Sequence, residues 1–154
     1  MPTWAEVLLP VVTGLIGAGS GLVGTWVGVR QQRRSERQRI LSDAAAELAQ
    51  RLGSGETGVS TSLLIHENDR RTASEREDSI GKARWYASEA GPPLAKVGLL
   101  FPETVSGHAQ QAFDLVRAAA EELPKDGART KLDSAKDSRR RFENAARAAI
   151  WQSG

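Results

Sequence analysis

The chain contains no cysteine, which excludes disulfides, thiolate metal sites and cysteine nucleophiles. That absence also fits a reducing cytosol. Aromatic residues are scarce, at 5%, whereas a sandwich or barrel needs aromatic and β-branched residues alternating along its strands. Alanine is abundant instead, so the composition favours an all-α fold of slim, closely packed helices. Charge is missing altogether from one long stretch, the 23 residues from Val7 to Val29.

That uncharged run organises the reading of the rest. As a helix rising about 1.5 Å per residue it spans roughly 34 Å, enough for a hydrocarbon core of about 30 Å with some tilt. Trp4 and Trp26 stand near its two ends, where indoles favour the membrane interface. A secretory signal peptide would place basic residues before a shorter apolar run. Here Glu6 is the only charged side chain ahead of it, and five arginines follow at Arg30, Arg33, Arg34, Arg37 and Arg39. The positive-inside tendency then sets the amino terminus outside and the carboxyl terminus in the cytoplasm. The expectation is a cell-membrane protein with residues 1–29 as a single-pass transmembrane anchor.

Within the run, Gly14, Gly17, Gly21, Gly24 and Gly28 recur at spacings of three and four, which sets five glycines on one helical face. Gly19-Ser20-Gly21-Leu22-Val23-Gly24 also satisfies GxGxxG, the pattern of a dinucleotide-binding turn. Such a turn needs a strand before it and an acid on a following strand, a role into which only Asp43 could be forced. No apolar strand precedes Asp43, so the glycines read as a helix-packing face, a glycine zipper for self-association.

Beyond the run, residues 30–52 form a basic juxtamembrane amphipathic helix. Its arginine cluster is suited to anionic lipid head groups, at about 1 kcal/mol per base near the surface, or serves simply to set topology. No aromatic residue interleaves the cluster, which argues against a nucleic-acid partner. Ile40, Leu41, Ala44, Ala45, Leu48 and Leu52 give the stalk an apolar stripe. Gly53-Ser54-Gly55-Glu56-Thr57-Gly58 then reads as the clearest break in the chain, with three glycines in six residues.

A cytoplasmic helical domain over residues 59–152 follows, as a bundle, helical hairpin or coiled coil. Its first helix is expected from about Val59 to Ala90, with the polar stretch His66 to Ser79 exposed or irregular. The acids Glu75, Glu77 and Asp78 are interspersed with Arg70, Arg71 and Arg76, which reads as an internally paired, solvated face. Gly91-Pro92-Pro93 reads as a turn. Leu94, Val97, Leu99, Leu100 and Phe101 are expected in the core, and Pro102 breaks the chain again. Val105, Ala109, Ala112, Phe113, Val116 and Ala120 mark a helix ending near Leu123-Pro124. After a turn at Lys125-Asp126-Gly127, the last helix presents Leu132, Ala135, Phe142, Ala146 and Ala149, with Arg139 at the one remaining position of that stripe.

No catalytic constellation emerges from the pattern. His66 and His108 lack metal-ligand spacing, no serine sits in a nucleophile elbow, and no glycine loop precedes a phosphate-binding lysine. No cofactor is implied, and the expectation is a non-enzymatic protein.

The apolar amino terminus, the exit VRQQRRSERQR, the segment PPLAKVGLLFPETVSGHAQQAFDLV and the closing RRRFENAARAAI together resemble small single-pass actinobacterial membrane proteins, including the KilB proteins of conjugative plasmids. The resemblance implies a helical cytoplasmic domain and a link to plasmid spread, and carries no functional residues over. The expected partners are membrane lipid, further copies of the chain through the transmembrane helix, and a cytoplasmic protein. The alternative is a small oligomeric pore-forming or membrane-permeabilising protein. A pore needs polar groups on one face of the span, where only Thr13, Ser20 and Thr25 supply them.

Overall fold

The computed structural model describes the backbone of residues 4–153 and the side chains of residues 31–153. Among these the fold is all-α, with five helices: α1 (Trp4–Glu67), α2 (Ala73–Ser88), α3 (Gly91–Leu100), α4 (Glu103–Glu121) and α5 (Gly127–Gln152). The chain divides into two units, Met1–Arg37 and Gln38–Gly154. The first contributes the opening part of α1. The second is a helical bundle whose legs are the remainder of α1, α2 with α3, α4, and α5.

Antiparallel contacts fix the order of the legs. Along α1 and then α2–α3, Ser62 meets Ser79, Arg51 meets Glu89 and Glu47 meets Lys96, so numbers fall on one helix as they rise on the other. The same holds of α1 and α5, through Glu67 with Arg129, Glu56 with Arg139 and Gln38 with Ile150. Two-residue and five-residue turns join the other neighbours, giving up-down-up-down topology with short connections. The core is small-on-large. Phe142, Leu48, Leu52, Val59, Val97 and Val116 are wholly buried, interleaved with Ala44, Ala83, Ala109, Ala112, Ala119 and Ala135.

The expected break at Gly53 to Gly58 is not there. Helix α1 runs through it without interruption to Glu67, so residues 30–52 and the chain after residue 59 share one helix. The reason is tertiary. A Cβ on Gly55 would lie 3.3 Å from the Ala87 Cα, and one on Gly58 would lie 3.3 Å from the Ala83 Cα. These glycines let α2 approach the α1 backbone, and close packing outweighs their poor helix propensity. Ser54 and Thr57 donate their hydroxyls to the carbonyls of Gln50 and Gly53, one turn back in the same helix.

The true break follows at residues 68–72, inside the polar stretch. Thr72 caps α2 with a capping box: its hydroxyl accepts from the Glu75 N–H, and Glu75 Oε2 accepts from the Thr72 N–H at 2.8 Å. That backbone donor, and then the Arg71 guanidinium, hold the Glu75 carboxyl below its ordinary 4.5. A depressed folded value contributes stability above the unfolded pKa, lost as pH falls through the folded one. Loss of the hydroxyl that accepts from the Glu75 N–H in Thr72→Ala is expected to cost about 1 kcal/mol at neutral pH. The gap from the parent in urea midpoint should narrow on acidification from about pH 5 to 3. A gap that stays constant over that range would show that the Thr72 hydroxyl does not help to hold the Glu75 carboxylate charged.

Gly91-Pro92-Pro93 is a second correction. The three residues form the first turn of α3, where missing proline N–H groups cost nothing. Glu89 and Ala90 keep right-handed helical backbone, so α2 and α3 are a helix briefly interrupted rather than reversed. At Pro102 the chain does turn, with Phe101 driven to extended backbone before it. Val97 and Phe101 are buried as expected, but Leu99 and Leu100 are exposed, and so is Ile40 in the stalk stripe. Helix α4 ends at Glu121, and Leu132, Ala135, Phe142 and Ala146 form the buried stripe of α5 with Ala149 half-buried.

Candidate functional site

The five expected packing glycines, Gly14, Gly17, Gly21, Gly24 and Gly28, and Arg30 lie outside the residues whose side chains are described. Among the described residues no helix is long and apolar enough to cross a membrane, and the run Val7 to Val29 is not among those side chains. Arg33, Arg34, Arg37 and Arg39 are all exposed. Arg39 reaches Asp43 one turn on, at 3.9 Å, with both side chains largely in solvent. Such a pair contributes little. Three of these arginines, Arg33, Arg34 and Arg37, form no salt bridge among the described residues, so their charge is available to an anionic surface.

One recess of the bundle unit lies between α1, α2 and α5, a groove of about 910 Å³. One wall is Ser54, Thr57, Thr61 and Ser62 of α1. The other is Glu75, Asp78, Ser79, Lys82 and Tyr86 of α2. Gly53 opens onto it, since a Cβ there would meet nothing within 4 Å, whereas Gly58 is packed against Ala83 and Tyr86 of α2. Glu56 and Arg139 close its floor.

Glu56 was not foreseen as a functional residue, since it fell within the supposed turn. In the continuous helix it follows Leu52 and precedes Val59 on the inner face, and its side chain is only 6% exposed. Arg139 Nε donates to Glu56 Oε1 at 2.9 Å, and its Nη1 donates to Glu143 at 2.6 Å. The Glu56 carboxylate, followed by Coulombic attraction to Glu143, raises the Arg139 guanidinium pKa against the opposing effect of burial. Arg139 thus joins the apolar stripe of α5 because a buried carboxylate of α1 faces it.

The remaining polar groups of the groove are largely matched. Lys82 pairs with Asp78 at 2.7 Å and Arg71 with Glu75 at 3.0 Å. Ser62 and Ser79 bond each other at 3.0 Å across the α1–α2 seam. The groove can therefore offer ion pairs and hydroxyls to a polar surface, while Ser54 and Thr57 bond carbonyls of their own helix. His66 bonds the Ser62 carbonyl oxygen at 2.9 Å, inside its own helix. Among the described residues no group of three potential ligands is placed to hold a metal ion. Compared with protein-family models, curated proteins and solved structures, the chain matches none of them.

Proposed function

We propose that the protein is a single-pass, membrane-anchored, non-enzymatic helical protein that self-associates through its span and presents its bundle to a cytoplasmic protein partner. The uncharged run Val7 to Val29, followed at once by five arginines, carries this reading. The exposure of Arg33, Arg34, Arg37 and Arg39 supports it, because a topology-setting or lipid-facing cluster needs free charge. The resemblance to KilB-type membrane proteins points the same way and suggests a part in plasmid spread. The polar α1–α2–α5 groove is the surface of the bundle best suited to hydrogen-bond a partner.

The test is flotation of the full chain with liposomes after alkaline carbonate washing, together with a reporter active only outside the cytosol fused at Gly154. Retention with the vesicles and a silent reporter are expected. Loss of the chain to the wash removes the anchor, whereas a strong reporter signal reverses the orientation. In the same vesicles Gly21→Leu combined with Gly17→Leu is expected to abolish energy transfer between labelled spans, since leucine bars close backbone approach. Undiminished transfer in that variant removes the glycine face from the interface. Ion leakage caused by the parent protein would favour a pore instead.

A further inference from the structure

We infer that the groove between α1, α2 and α5 seats a basic side chain of the protein partner, lysine or arginine, with its cation against Glu56. This rests on the partner-presenting reading above and names the chemistry of the partner's contact residue. It starts from one oxygen. Glu56 accepts from Arg139 Nε through Oε1, and its Oε2 accepts no hydrogen bond among the described residues. Nor is Oε2 sealed in, since Arg76 Nε is the one buried side-chain nitrogen or oxygen without a partner among the described residues. Glu56 lines the groove, so the free oxygen opens into it. A carboxylate buried this deeply costs stability unless donors meet it, and the chain supplies a donor to one of its two oxygens.

Charge selects what meets that oxygen. Arg139 lies between Glu56 and Glu143, so two carboxylates share one guanidinium and a negative charge is left over. The α2 wall does not offset it, because Lys82 is held by Asp78 and Arg71 by Glu75. Along the bottom of the groove α1 contributes Gly53, Ser54, Thr57 and Thr61, none of them charged. These side chains are short, and a Cβ on Gly53 would meet nothing within 4 Å. A long side chain can therefore pass over them, its methylene stem beside the threonine methyls and Tyr86. It then brings an ammonium or guanidinium to Oε2, where a charge-assisted hydrogen bond forms away from bulk water. An acidic side chain entering the same way meets the left-over negative charge and is rejected.

With no native cysteine, Thr61→Cys gives the full chain a single thiol at the bottom of the groove, five residues and about 8 Å of helix from Glu56. Leu99→Cys gives one on α3, away from the groove and 88% exposed in the parent. The probe is an alanine-based helical peptide with one central arginine and, one turn away, a cysteine activated as a mixed disulfide with thionitrobenzoate. Its twin carries citrulline in place of arginine. With the protein in vesicles of phosphatidylcholine, which have no net charge to gather the peptide, the ratio of arginine-peptide to citrulline-peptide labelling rates is expected to be at least about fivefold higher at position 61 than at position 99. Glu56→Gln should bring the two ratios together. So should Gly53→Leu, which fills the groove from a position with open space around it and favours the helix. Equal ratios at the two positions in the parent, or an undiminished difference in folded Glu56→Gln or Gly53→Leu protein, overturn the inference and leave the anchored reading standing. A chain that does not float with the vesicles fails the anchored reading, while the same ratios measured on it in buffer still decide the inference.

Discussion

Arg139→Met is expected to destabilise the bundle by about 3 kcal/mol, because it leaves the Glu56 carboxylate buried without its partner. Glu56 retains 6% side-chain exposure and Arg139 27%, so the estimate sits at the lower end of what breaking a buried pair costs. Glu143 also loses a partner, but at 33% exposure water can replace it. Two neutral side chains of suitable volume avoid the desolvation that the pair must offset. Glu56→Met combined with Arg139→Met should therefore recover most of the loss. Urea unfolding of the parent, the two single variants and the double variant measures the coupling. A loss below about 1 kcal/mol in Arg139→Met, or a double variant no better than the two losses added, would show that the pair is solvated in solution.

Gly55→Leu is expected to cost a similar amount, about 3 kcal/mol. Its Cβ would lie 2.7 Å from the Val116 Cγ1 and 3.3 Å from the Ala87 Cα, so α1 would be forced away from both α2 and α4. Valine cannot turn aside cheaply, since both of its methyl groups leave the β-carbon. Two residues earlier the opposite result is expected. A Cβ on Gly53 meets nothing within 4 Å, and Gly53→Ala should stabilise the protein by roughly 0.5–1 kcal/mol through helix propensity alone. Urea midpoints at constant slope check both. If Gly53→Ala destabilised the protein as Gly55→Leu does, the segment would be a turn after all.

This contrast also shows where the sequence could and could not be read. Periodicity located α4 and the inner face of α5 well, because the spacing from Val105 through Ala109, Ala112, Val116 and Ala120 is crossed by a single glycine, Gly107, and by no proline. At Gly53 to Gly58 a local rule and a tertiary one disagreed. Three glycines favour a turn in isolation, yet Leu52, Glu56, Val59 and Leu63 keep the helical spacing of four, three and four across them. Reading that phase through the glycines would have put Glu56 on the inner face and given Arg139 its partner. Leu99 and Ile40 were misplaced because hydropathy marks a residue as apolar without saying whether a neighbouring helix covers it. The groove was beyond reach, since its floor joins residues 83 positions apart in the chain.

The order of the legs bears on how the bundle forms. Each leg packs on the one made just before it, and only α5 and, at Val116, α4 reach back to α1, so folding is expected to be fast for the chain's size. Hairpins of α1 with α2–α3, and of α3 with α4, can assemble while the rest is still being synthesised. Closure by α5 is the step that must wait for the end of the chain. Interactions made only at that step are absent from an early transition state, so the ion pair across the closing seam would act chiefly as a latch: its loss should speed opening and leave the rate of assembly nearly unchanged.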